Sequence, residues 1–115
     1  MRIWDISPSL LCRQHLLAEH RELHGLWNIL TIHQGRGGYS KHPETKRWQG
    51  KRRALYQRHQ ALVKEFNKRG YQHFSDLDIQ YADGLHHQDV LLNSLAEQKQ
   101  ILIDKPCSCL IKYQK

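Results

Sequence analysis

The run Gln14-His15-Leu16-Leu17-Ala18-Glu19-His20-Arg21-Glu22-Leu23 holds an imidazole and two carboxylates at spacings that a helix would bring together. At 100° per residue, the seven-residue step from His15 to Glu22 closes to about 20°, and Glu19 sits one turn from each. Such a stripe suits proton transfer and the stabilisation of a developing cation, because a carboxylate can do either and an imidazole titrates near neutrality. Leu16, Leu23, Leu26, Ile29 and Leu30 supply an apolar surface elsewhere on the same helix. The polar stripe is therefore expected to be free of any folding duty.

Three helices joined by polar connections are expected to carry these residues, in an all-α domain spanning 1–115. The first opens at Ser7-Pro8, an N-cap followed by proline at the first helical position, and runs to about His33. The glycines of Gly35-Arg36-Gly37-Gly38-Tyr39 then make a loop, and His42-Pro43 adds a second extended or turn-like point. A second helix spans about Lys51 to Arg69, with Leu55, His59, Leu62 and Phe66 as its buried stripe and Gly70 closing it in the left-handed conformation. A third covers about His87 to Ile103, read from Leu91, Leu95, Gln98 and Leu102 and stopped by Pro106. The segment from Gln72 to Leu85 suits an irregular wrap, and no sheet or internal repeat is expected.

The chain of 115 residues has 18 Lys plus Arg against 11 Asp plus Glu, a formal charge of +7, which favours polyanionic partners by counterion release. Residues 36–69 hold eleven of those basic residues, among them Arg36, Lys41, Lys46, Arg47, Lys51, Arg52, Arg53 and Arg58, against only Glu44 and Glu65. This segment is a candidate phosphate-tracking surface, with Trp48 placed among its cations to support an unstacked base. Trp4, alternating with Ile6, is expected to anchor the N-terminal segment in the core instead, with Ile3 and Ile6 burying it. No apolar stretch approaches the roughly 20 residues of a membrane span, and Asp5 interrupts the start where a signal peptide needs a hydrophobic run. A cytoplasmic chain, nucleoid-associated when bound to DNA, is expected. Three cysteines with Cys107 and Cys109 one residue apart do not make a disulfide framework, and reduced thiols are expected. The His86-His87 pair and the Cys107/Cys109 pair are poorly spaced for zinc, so neither a metal nor another cofactor is expected.

A Met1-Arg2-Ile3 start followed by Gln14-His15, Ala18-Glu19 and Arg21-Glu22-Leu23 resembles the phage endonuclease V family of pyrimidine-dimer DNA glycosylases with abasic-site lyase activity. Leu55 to Tyr71, with Arg58, Gln60, Leu62 and the Lys68-Arg69-Gly70-Tyr71 exit, is similar to that family's second helix. The resemblance covers residues 1 to about 71. It implies a DNA-repair enzyme acting on damaged double-stranded DNA as a monomer, with the α-amine of the first residue, here Met1, as nucleophile. It implies Glu22 as the essential carboxylate, and Arg2, Gln14, His15 and Arg21 as groups that hold phosphates around the lesion. Arg36, Lys46, Arg47, Trp48 and Lys51 would extend the DNA surface.

Three departures accompany the resemblance. Gly25 stands where the phage enzyme has an arginine beside the lesion, so that phosphate clamp is absent. The end, Leu110-Ile111-Lys112-Tyr113-Gln114-Lys115, carries a single aromatic where the phage protein is aromatic-rich. Bulky Arg2 should protect Met1 from removal, making the nucleophile a methionine amine. Two alternatives stay open: a lyase or glycosylase for a different lesion, such as a bare abasic site, and a non-enzymatic basic helical module that binds nucleic acid.

Overall fold

The structure is a computed structural model that describes residues 2–32, 41–72, 76–105 and 109. It is all-α: four α-helices and two single 3₁₀ turns, with no strand among the described residues. The first expected helix is divided. Ser7 caps a 3₁₀ turn at Pro8–Leu10, Leu11 then swings into an extended conformation, and helix α1 begins only at Arg13 and runs to Leu30. The break buries Leu10 and Leu11 together, and lets the Cys12 amide donate to Cys109 Sγ at 3.0 Å. At the other end the Thr31 amide and hydroxyl both donate to the Trp27 carbonyl, at 2.9 and 2.7 Å, and close the helix before His33.

A short helix α2, Pro43–Trp48, follows and is absent from the sequence expectation. His42 is extended, as its place before proline requires, and its Nδ1 accepts the Glu44 amide at 3.0 Å as an N-cap. Helix α3, Arg52–Lys68, lies within the expected span. Its expected stripe of Leu55, His59, Leu62 and Phe66 is buried and packs on α1, where Leu16, Leu23 and Leu26 are fully buried. Gly70 closes it at φ +78°, as expected.

Residues 76–94 are irregular apart from a 3₁₀ turn at Ile79–Tyr81, and they return to cap α3. The carbonyls of Asp83 and Leu85 accept the Arg53 and Ala54 amides at 2.7 and 3.1 Å, while the Leu85 amide donates to Gly50 O at 2.9 Å. Two otherwise orphaned first-turn amides are thereby satisfied. Gly84, at the centre of this contact, has φ +84°, and a Cβ added there would lie 2.2 Å from the Gly50 carbonyl oxygen. Gly84→Ala should accordingly lower the unfolding free energy by more than ~1 kcal/mol, read from denaturant midpoints, since neither backbone can yield cheaply.

Helix α4, Leu95–Ile103, is half the expected length. A capping box sets its start: Ser94 Oγ accepts the Glu97 amide at 3.1 Å and Glu97 Oε1 accepts the Ser94 amide at 2.8 Å. Hydrogen bonds to the carboxylate from the Ser94 amide and the Ser94 side chain hold the Glu97 carboxyl below its ordinary range. Of the expected stripe, Gln98 and Leu102 are buried, whereas Leu91 and Leu95 are exposed. Among the described residues no helix is long and apolar enough to cross a membrane. The loop Gly35–Tyr39, Pro106 and the tail 110–115 lie outside the described residues.

Candidate active site

The N-terminal segment lies along the polar stripe of α1. The Arg2 amide donates to Glu22 Oε2 at 2.5 Å, the backbone of Trp4 bonds the Glu19 carboxylate, and the Trp4 ring meets His15 edge-on at 6.3 Å. Ile3, Trp4 and Ile6 are buried beside it, so Trp4 anchors the segment as expected. Glu22 is half-buried and stands one residue from the start of the chain. Met1 itself lies outside the described residues.

Three polar side chains, Arg47 and Gln98 buried and Arg58 half-buried, fix the path of this segment. Arg47 uses all five of its N–H donors: Nε to Glu44 at 2.6 Å, Nη1 to Asp5 and to Val90 O, and Nη2 to Asp5 and to Ile3 O. Gln98 receives the Asp5 amide at 2.8 Å and donates to Asp5 Oδ2 at 3.0 Å. Arg58 donates to Ile6 O at 2.7 Å while gripping Glu19 with Nε and Nη2 at 2.6 and 2.9 Å. The segment is thus clamped by helices α2, α3 and α4.

The stripe is therefore not free of folding duty as the sequence suggested. Glu19 is 1 % exposed and its carboxyl is pushed up by burial against the pull of Arg58. His15 Nδ1 lies 3.1 Å from Cys12 Sγ and 3.2 Å from Cys109 Sγ, and burial, with the nearby charge of Lys105, holds it below its usual pKa. A neutral imidazole occupied by thiols is poorly suited to the expected phosphate contact. Of the three, only Glu22 is left facing the start of the chain.

The expected DNA surface divides in the same way. Arg47 is 6 % exposed with its donors consumed, and Trp48 is 2 % exposed with its indole N–H on Glu44 Oε1 at 2.9 Å. Lys51 is buried, its Nζ held by Gln88 at 2.7 Å and Asp89 at 3.2 Å. These three, expected outside, are turned inward because acceptors from Glu44, from the N-terminal segment and from residues 88–90 meet them there. Gln14, Arg21 and Lys46 are exposed; Arg36 lies outside the described residues. Arg2 is half-buried, its guanidinium stacked 4.9 Å over the Trp4 ring with Nη1 on Asn93 Oδ1 at 2.9 Å. Gly25 is exposed one turn beyond Glu22, and a Cβ there would meet nothing within 4 Å. Asn93 and Gln98 are the site residues that sequence reading left unassigned, while Arg58, read as part of the phosphate-tracking surface, bonds Glu19 and Ile6 O instead. Only Gln98 carried a signal, as a polar residue on an apolar stripe.

Residues 1–78 match the family model described as pyrimidine dimer DNA glycosylase. No curated protein and no solved structure matches the chain.

Proposed function

This chain belongs to the pyrimidine dimer DNA glycosylase family, and from that premise we propose that it excises a damaged base with the α-amine of Met1 and then cleaves the strand at the abasic site. The observation that carries this reading is the bond from the Arg2 amide to Glu22 Oε2 at 2.5 Å, which sets a carboxylate one residue from the proposed nucleophile. An α-amine titrates near about 7.7 to 8, so roughly a tenth is neutral at pH 7, against about one part in a few thousand for a lysine. The neutral amine attacks C1′ of the sugar and the base departs with its bonding electrons and a proton. Ring opening leaves an imine between the amine nitrogen and C1′. The cationic imine acidifies the C2′ proton; loss of that proton expels the 3′ phosphate and breaks the strand. Glu22 stabilises the cation and takes and returns protons. His15 and Glu19 hold the segment that carries the amine.

Arg2, Gln14, Arg21, Arg36 and Lys46 are the proposed contacts to the phosphates of damaged double-stranded DNA. A second reading keeps the imine and changes the lesion. It is favoured by Gly25, which places no cationic side chain on α1 one turn from Glu22, and a bare abasic site makes fewer demands there.

The test is trapping. The untagged chain, incubated with abasic-site duplex and borohydride, should form a reduced crosslink that mass spectrometry locates on Met1. A crosslink on a lysine would move the nucleophile elsewhere. Intact DNA binding with no crosslink would favour a non-enzymatic binding module.

A further inference from the structure

His20 and His24 stand one turn apart on α1, and His59 faces them from α3. Their Nε2 atoms form a nearly equilateral triangle, with 3.2 Å from His20 to His59, 3.2 Å from His24 to His20 and 3.1 Å from His24 to His59. The rings are crowded at centroid separations of 4.6 to 5.0 Å, and the His20 ring also packs edge-on against buried Phe66. His59 is fully buried; the other two are half-buried.

Hydrogen bonding alone does not account for such a triangle. Each Nε2 presents either a proton or a lone pair, so among three nitrogens at least two are alike. At least one of the short contacts then sets proton against proton or lone pair against lone pair. The tautomer of His59 sharpens the point: its Nδ1 lies 2.8 Å from Gln60 Oε1, which only accepts. With Gln60 Oε1 as acceptor, a neutral His59 carries its proton on Nδ1 and aims its Nε2 lone pair at His20 and His24. Fixing the remote nitrogen with a carbonyl is how proteins orient a metal-bound imidazole.

We propose that His20, His24 and His59 bind a divalent transition-metal ion, with Zn²⁺ the best fit, and that this ion ties α1 to α3. A cation near the triangle turns three mutually opposed lone pairs into three ligands. Tetrahedral zinc bound at about 2.0–2.1 Å puts neighbouring ligand nitrogens roughly 3.3–3.4 Å apart, so ligation asks for only a slight opening of the observed triangle. Three neutral imidazoles with no carboxylate suit zinc and its late first-row neighbours and disfavour magnesium and calcium. The fourth position is left for solvent or another donor. His20 and His24 lie about 160° around α1 from Glu22, so the ion stabilises the helix pair and takes no part at Glu22. Neither the Met1 nucleophile nor the lesion enters the inference.

Cys12, His15 and Cys109 form a second group of metal-binding atoms, and the test has to tell the two apart. Cobalt does so, since thiolate ligands add intense near-ultraviolet charge-transfer bands that imidazoles lack. The chelator-stripped chain, titrated with Co²⁺, should take up one equivalent, counted by its visible d–d absorption, with no near-ultraviolet thiolate bands. Zn²⁺ should then displace it and raise the melting temperature; free Zn²⁺ at 100 times its Kd multiplies the folded-to-unfolded ratio about 100-fold. His24→Ala should weaken this uptake at least tenfold and abolish the thermal shift. Gln60→Leu keeps every ligand and alters an exposed residue, so folding is not at issue, and it should weaken uptake roughly 10- to 100-fold through loss of the Nδ1 acceptor. Uptake only with thiolate bands, uptake unchanged in both variants, or no uptake of Co²⁺ or Zn²⁺ would each overturn the site.

Discussion

Glu22→Gln should cut cleavage of abasic-site duplex by about 10² to 10⁴-fold while leaving affinity for the same duplex within about twofold. The asymmetry follows from what the glutamine keeps. Its amide oxygen can still accept the Arg2 amide that Glu22 Oε2 now receives, so the N-terminal segment keeps its place along α1. What disappears is the negative charge that the proposed imine would face and the ability to carry a proton. Glu22→Ala removes the acceptor as well, and its additional deficit would measure how much placement contributes. Borohydride trapping locates the failed step. A variant that still forms the crosslink but does not break the strand assigns Glu22 to elimination, whereas loss of both assigns it to attack. Undiminished cleavage would remove Glu22 from the mechanism. Both proteins should lose affinity steeply with salt, because that slope reports the phosphate contacts and not the carboxylate.

The parts of this fold that were legible in the sequence are those set by local period. Leu16, Leu23 and Leu26 on α1, and Leu55, His59, Leu62 and Phe66 on α3, recur at helical steps of three, four or seven residues, and each is buried. Gly70 read correctly as a helix stop because the requirement for positive φ is also local. Helix α2 has six residues, too few for a period to show, and its start rests on the His42 side chain. The α4 boundary was misplaced because an apolar residue at position 91 fits the helical stripe, while the capping box at Ser94 and Glu97 overrides it.

The site was harder to read for a different reason. A cation in a basic run looks like surface until its partners are known, and those of Arg47 are Ile3, Asp5, Glu44 and Val90, most of them about forty residues away. Glu19 reads as a free member of a polar stripe until Arg58 closes on it. The histidine triangle is equally invisible, since His20 and His24 share a turn but His59 arrives from another helix. Pairings across the fold, not residue types, decide which polar groups support the structure and which are left for chemistry.

The pairing of Glu19 with Arg58 carries the largest expected effect on stability. Arg58→Met strands a carboxylate that is 1 % exposed, and breaking a buried pair from one side typically costs about 3–5 kcal/mol, a large share of the roughly 5–15 kcal/mol that holds a domain folded. It also removes the donor to Ile6 O, loosening the segment that places the start of the chain near Glu22. The double variant Glu19→Leu/Arg58→Met should recover most of the loss, because it buries no uncompensated charge. The deficit should depend on pH in a definite direction. Burial already raises the Glu19 carboxyl above its ordinary value, and Arg58 is the main influence drawing it down, so Arg58→Met raises it further. A carboxyl raised in the folded state contributes stability that is full below its unfolded value, near about 4.3, and is lost as pH rises through the folded one. The gap between Arg58→Met and the parent, measured by urea unfolding, should therefore be smallest near pH 4 and widen toward pH 7. A gap independent of pH would mean that the loss comes from Arg58 packing and its bond to Ile6, with Glu19 remaining solvated as a carboxylate.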